Sequence, residues 1–196
     1  MERNTNDIEH FKVDLERSGA LEEFLDSVDP SRFYGILHMS SAPSPRCLVS
    51  GDMALLRRHW RQSVEVPVLL SRWARQPGST VRRLVLIGST AGTIAPNPNQ
   101  GAYSLGKAAM EHLVRLLVSD LAAQKATVNI IVPSLIPAGM NQGVPERILK
   151  SLEGRIPTGR LTSPQDIISV IGFLLSSVSE QINGACIPIN GGGGAD

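Results

Sequence analysis

The sequence has no excess of charge of either sign. Its 19 Lys+Arg stand against 18 Asp+Glu, a formal net charge of +1, whereas nucleic-acid and membrane-surface proteins need a concentrated basic face. No apolar run approaches the ~20 residues that span a bilayer. The polar opening MERNTNDIEH is unlike a signal peptide. Two cysteines, Cys47 and Cys186, are too few and too far apart for a disulfide framework or a zinc site. The four histidines, His10, His38, His59 and His112, show no metal-ligand spacing. What is present is ample apolar material: 42% of 196 residues are hydrophobic and 19% charged, enough for one sizeable core. We expect a single α/β domain over residues 1–196, cytoplasmic, with no metal and with neither nucleic acid nor membrane as partner.

Short apolar runs alternate with longer amphipathic stretches. The spacing predicts strands over Phe11–Leu15, Gly35–Met39, Arg83–Gly88, Thr127–Val132 and Ala185–Ile189. Helices are predicted near Gly19–Ser27, Met53–Arg75, Tyr103–Gln124, Pro145–Leu152 and Pro164–Ser176. Such alternation implies a parallel sheet covered on both faces. Ser163-Pro164-Gln165-Asp166 reads as a helix start, with Ser capping and Asp facing the positive dipole end. Asn183-Gly184 turns the chain into the last strand. Leu105, Ala109, Leu113, Leu116 and Leu117 form an apolar stripe on the Tyr103 helix. Met140–Gly143, with the short helix after it, reads either as a flap over a pocket or as an ordinary surface loop.

Tyr103 and Lys107 are spaced i,i+4, so their side chains share a helix face. An ammonium beside a phenol favours the phenolate and lowers its pKa from about 10 toward working pH. Ser89 follows the strand Arg83–Gly88 at the carboxyl edge of the sheet, where open α/β folds place ligands. Its hydroxyl can bond a carbonyl oxygen that Tyr103 protonates. Taken alone, a Tyr-x-x-x-Lys pair is equally an ordinary helix-surface pair.

The surrounding segments add context. In order they are LVLIGSTAG, AYSLGKAAMEHLVRLLVSDLA, ATVNIIVPSLI, IPTGRLTSPQDI, FLLSS and INGACIPINGG. Together they resemble the short-chain dehydrogenase/reductase family, and within it the 3-oxoacyl-carrier-protein reductases. The likeness is strong from Arg83 to Gly192 and traceable from Phe11. It implies a truncated, doubly wound Rossmann-like parallel sheet of about five strands. It also implies that Tyr103 is the proton donor, Lys107 its pKa-lowering partner and Ser89 the carbonyl-orienting hydroxyl. The loop between Ser89 and Tyr103 is one residue longer than the family's usual one.

The cofactor-holding positions match less well. The family opens with a strand, a Gly-rich turn and a helix whose N-terminus holds the dinucleotide pyrophosphate. No G-x-G-x-x-G-like turn follows an N-terminal strand here, and Phe11–Leu15 matches the family's third strand. Ser40-Ser41-Ala42-Pro43 stands in place of Asn-Asn-Ala-Gly, with Pro43 adding bulk where Gly admits the cofactor. The family's helix Asn falls near Ser63 or Glu65, Pro133-Ser134 replaces Pro-Gly, and Ala138 replaces Thr. Asp14 and Ser41 are the residual cofactor-contact candidates. Without strands 1 and 2 of the family, we expect Phe11–Leu15 to cross over and pair with Gly35–Met39.

Several features are set aside. Gly101–Ala108 nearly matches a P-loop, but Ala108 lacks the hydroxyl and no strand precedes it. The Gly191–Gly194 run reads as a flexible tail, His38 as a structural histidine, and Trp60 and Trp73 as packing or interface residues. Arg57, Arg58 and Arg61 read as a solvated face, or as an attraction for an acidic carrier protein. We therefore expect an enzyme using Tyr/Lys/Ser acid–base chemistry on a carbonyl, that of a free or carrier-protein-bound 3-oxoacyl or polyketide-type thioester. We expect no nicotinamide cofactor held by this chain alone, with NADPH only where a partner completes the site. Isomerisation, dehydration or cyclisation is then the expected reaction. The alternative is a non-catalytic partner of a full-length NADPH-dependent ketoreductase. Homo- or hetero-oligomers would assemble through helices 53–75 and 103–124.

Overall fold

The computed structural model describes residues 9–42 and 46–194. Four strands, β1 (Gly35–His38), β2 (Arg83–Ile87), β3 (Thr127–Pro133) and β4 (Cys186–Ile189), form one parallel sheet in the order β1-β2-β3-β4. All of β3 is buried, as a central strand of a doubly covered sheet is, and its one buried side-chain amide, Asn129, is bonded to the Ile182 carbonyl and to Ala185 N. The connecting helices are α1 (Ala20–Asp26), α2 (Met53–Trp60), α3 (Val66–Ala74), α4 (Gly101–Leu121), α5 (Glu146–Glu153) and α6 (Pro164–Leu175).

The two-residue period of the strands divides the core. Leu84, Leu86, Val128, Ile130 and Val132 pack against Met110, Val114, Leu117 and Leu121 of α4. The alternate positions Val85 and Ile131 meet Ile167 and Leu174 of α6 on the other face. A third cluster joins Leu21 and Leu25 of α1 to Val66, Trp73 and Ala74 of α3. There the Trp73 indole N–H donates to the Leu25 and Val28 carbonyls, each at 3.0 Å. The fold is the doubly wound Rossmann-like parallel sheet expected from the resemblance, with four strands among the described residues where about five were expected.

Local chemistry explains the boundaries. Ser163 caps α6: its hydroxyl accepts from Asp166 N at 3.3 Å, and Asp166 Oδ2 accepts from Ser163 N at 2.8 Å. Arg160 holds the same carboxylate with two hydrogen bonds, at 2.6 and 2.9 Å. Gly184 enters β4 at φ +76, and a Cβ there would lie 2.9 Å from Val118 Cγ2. The helix predicted over Met53–Arg75 contains a π-turn at Arg61–Glu65 between α2 and α3. Pro67 follows it; it has no N–H to bond the Ser63 carbonyl, so the regular ladder breaks here.

Three expectations are corrected. Phe11–Leu15 is not a strand, and β1 pairs only with β2 among the described residues. Its apolar side chains serve helices instead: Phe11 meets Phe24 at 5.2 Å between ring centroids, and Val13 and Leu15 pack on the α1–α3 cluster. Arg61 ties it down, with Nε donating to the Leu15 carbonyl at 2.5 Å. Secondly, the core face of α4 is Met110, Val114, Leu117 and Leu121, whereas Leu105 and Leu116 are exposed. That helix is apolar on more than one side, so periodicity alone chose the wrong stripe. Thirdly, Gly191–Gly194 is a packed turn: Gly191 sits against Thr158 and Ile156, and Gly194 against Ile94. No helix among the described residues is long and apolar enough to cross a membrane.

Candidate active site

The carboxyl ends of β1 and β2 and the first turns of α4 converge. Ser41 follows β1, Ser89 follows β2, and α4 presents Tyr103 and Lys107 one turn apart. Ser89 and Ser41 lie near enough to the Tyr103 hydroxyl to pull its pKa down, so the longer loop still brings Ser89 to the neighbourhood of the phenol. Lys107 is buried and its Nζ donates to the Ile87 carbonyl at 2.6 Å. The ammonium lies 5.7 Å from the centroid of the Tyr103 ring.

The electrostatics differ from expectation. Burial pushes the Tyr103 phenol above its ordinary 10, while Ser89 and Ser41 pull it down by hydrogen bonding. Burial also lowers Lys107 to about 8. The expected drop in the phenol pKa is therefore not what the structure holds: desolvation dominates, and the ammonium spends its short bond on a backbone carbonyl.

Other polar groups crowd the same place. His38, at the end of β1, is buried and donates from Nε2 to the Gln62 carbonyl in the π-turn at 2.8 Å. A carbonyl only accepts, which fixes the Nε2–H tautomer. Burial lowers His38 to about 4, so it stays neutral and structural. The His59 and Tyr103 rings meet in a T-shaped pair, with centroids 5.8 Å apart and planes at 83°. A Cβ on Gly106 would lie 2.9 Å from Ser63 Oγ and 3.2 Å from the His59 carbonyl, so glycine there lets the π-turn and α4 touch. Glu111, which sequence reasoning passed over, is buried one further turn along the face of Tyr103 and Lys107. Its i+8 spacing from Tyr103 was the available signal.

The remaining candidates are placed as follows. Asp14 is exposed and its Oδ1 accepts from Glu16 N at 2.9 Å, so it serves a turn. Ser63 and Glu65 both lie in the π-turn. Ser134 Oγ shares a 2.7 Å hydrogen bond with Thr162 Oγ1. Pro43 lies outside the described residues. The P-loop-like stretch Gly101–Ala108 is helical throughout and follows a short 3₁₀ turn, Pro98–Gln100. Another 3₁₀ turn, Gly139–Asn141, precedes α5, which buries none of its residues.

The sequence pattern of the enoyl-(acyl carrier protein) reductase family matches residues 7–193. The chain belongs to the short-chain dehydrogenase/reductase family. A 3-oxoacyl-[acyl-carrier-protein] reductase of Pseudomonas aeruginosa is 36% identical to it over 110 residues, 56% of this chain and 44% of that protein. The match to this curated relative thus spans less than half of its length. A short-chain dehydrogenase family protein of Francisella tularensis superposes with a TM-score of 0.86 at 24% identity, covering 99% of this chain and 84% of that one. A Beutenbergia cavernae protein solved with NADP at low occupancy gives 0.83 at 21% identity, covering 93% and 75%. At these identities the two structures establish the fold.

These relatives overturn the expectation of a chain without a nicotinamide cofactor. The family matched is one of reductases, and this dehydrogenase/reductase fold has been solved with NADP bound. The expectation rested on the phosphate-binding turn, but the nicotinamide end of a dinucleotide is met at the strand carboxyl edge, where this chain keeps its polar groups. The residues present fit that end: Tyr103, Ser89 and Ser41 supply hydroxyls, and Lys107 retains N–H donors beyond the one given to Ile87. Among the described residues no glycine-rich strand-to-helix turn precedes β1 to supply donors to a diphosphate.

Proposed function

We propose that this chain is an NAD(P)-dependent carbonyl reductase acting on a 3-oxoacyl thioester, carrier-bound or free. The gathering of Tyr103, Ser89 and Ser41 beside the buried Lys107 ammonium carries this reading. The thioester substrate is supported by the name of the Pseudomonas aeruginosa relative. When bound, the nicotinamide supplies the hydride. Tyr103 gives its proton to the carbonyl oxygen, and Ser89 donates a hydrogen bond that fixes that oxygen within reach. A phenol held above its ordinary pKa keeps its proton at neutral pH, as the reducing direction needs. The phenolate left behind is stabilised by hydrogen bonding from Ser89 and Ser41 and by the positive end of α4, since Tyr103 lies in the first turn of that helix.

Assembly through residues 53–75 and 103–124 is part of the same proposal. Met53 and Trp60 on α2 and Leu105 and Leu116 on α4 are exposed, and such apolar groups suit a subunit contact, with a second copy or with a longer reductase. Sedimentation of the purified protein reads this directly.

The activity is tested with acetoacetyl-CoA and reduced dinucleotide, following loss of the reduced-nicotinamide absorbance. Turnover is expected, and Tyr103→Phe is expected to lower kcat by roughly 10²-fold or more with the assembly unchanged. A well-folded protein that neither binds NADPH or NADH nor reduces any 3-oxoacyl thioester refutes the reading.

A further inference from the structure

We propose that Glu111 is a positioning residue: it clamps the loop after β2 onto α4 and so sets the Ser89 hydroxyl against Tyr103. This rests on the reductase reading above. The loop is internally bonded, with Gly92 N donating to the Ser89 carbonyl at 2.9 Å, Ala91 N to Ser89 Oγ at 3.2 Å and Ala95 N to the Thr90 carbonyl at 2.7 Å. It therefore moves as one piece with Ser89. Thr90 N donates to the Pro133 carbonyl at 2.9 Å, and further along the loop Asn97 N donates to Ser104 Oγ at 3.3 Å. Among the described residues, the side-chain bond from residues 89–95 to the helix is Thr93 Oγ1 donating to Glu111 Oε2 at 2.5 Å. Beside it, a Cβ on Gly92 would lie 2.6 Å from Glu111 Oε1 and 3.0 Å from Ala108 N, so the loop rests directly on the turn that carries Lys107.

Stability alone does not account for a carboxylate here. Glu111 is only 6% exposed, and its Oε1 is buried with no hydrogen-bond partner. Burying a carboxylate is costly, and a well-packed apolar residue at such a place is often neutral or stabilising. What Glu111 does that an apolar residue cannot is accept from the loop. Cys186 Sγ, from β4, donates to the same Oε2 at 3.7 Å, so the carboxylate ties loop, helix and sheet at one point. Tyr103, Lys107 and Glu111 share one helical stripe, so displacement of the clamp changes the separation of Ser89 from the other two.

The test compares Glu111→Ala, Glu111→Gln and Thr93→Val by steady-state kinetics and by amide hydrogen exchange. Glu111→Ala and Thr93→Val are expected to lower kcat roughly tenfold or more, with KM for the dinucleotide within about twofold. Glu111→Gln keeps an acceptor for Thr93 and is expected to recover most of the loss. Amides of Ala91, Gly92 and Ala95 are expected to exchange faster in the first two variants, while those of α4 stay protected. Should Glu111→Ala fail to fold, Thr93→Val carries the same comparison. An inactive wild type removes the reductase reading, and the exchange data then decide the clamp alone. Unchanged exchange in the folded variants, or unchanged kcat in an active enzyme, overturns the proposal.

Discussion

Lys107→Met isolates the cost of burying one ammonium. Burial lowers Lys107 from its ordinary 10.5 to about 8, which makes its charged form about 3 kcal/mol less favourable in the fold than in the unfolded chain. Below pH 8 both states hold the proton, so this cost is fully present. Between pH 8 and 10.5 the unfolded chain still binds the proton and the folded one has released it, so stability rises with pH. By about pH 9.5 the gain over neutral pH reaches about 2 kcal/mol. Urea titrations of wild type and Lys107→Met, run in parallel across that range, separate this term from every titration the two share. The variant leaves the Ile87 carbonyl without its donor, a penalty that does not vary with pH. The wild-type midpoint is expected to climb relative to the variant by on the order of 1 M urea. Parallel curves would show that the ammonium is not desolvated, and the electrostatic account of the site would fall with them.

Other outcomes follow from single contacts. Gly92→Ala forces a methyl against Glu111 Oε1 and the α4 backbone, and is expected to cost about 2 kcal/mol, read as a Tm drop of about 5 °C by calorimetry. Ser163→Ala removes the hydroxyl that caps α6 and is expected to cost about 1 kcal/mol by chemical denaturation. Cys186 is pushed up to about 11, first by burial and then by Glu111, with Arg115 opposing. Iodoacetamide near neutral pH is therefore expected to label exposed Cys47 first, and Glu111→Gln to speed the labelling of Cys186.

Features fixed by neighbours in the chain were readable from the sequence, and those fixed across it were not. The strand predicted over Arg83–Gly88 ends one residue earlier, at Ile87, and that over Thr127–Val132 runs one further, to Pro133, because both are dense apolar runs bounded by turns. The cap at Ser163 was legible since all its partners lie within three residues. Phe11–Leu15 misled because an apolar pentapeptide does not say whether it will meet a sheet or a helix pair. The Tyr103–Lys107 spacing revealed a shared face, but the bond from Lys107 to the Ile87 carbonyl spans 20 residues and that from Thr93 to Glu111 spans 18. Neither distance has a sequence signature.

The division of labour along α4 follows from the direction of the sheet. In a parallel βαβ unit the helix runs back against the strands, so its first turns stand over their carboxyl ends. Ser104, Lys107 and Glu111 are all buried in that first half, whereas the later buried positions Val114, Leu117 and Leu121 are apolar. A helix serving only as a lid on the core has no reason to bury three polar groups at one end, since each costs free energy unless it is bonded. Breaks in local consistency gather where function requires them. Here they gather at the strand ends where Ser41 and Ser89 arrive, and the opposite half of the helix supplies the packing that offsets their burial.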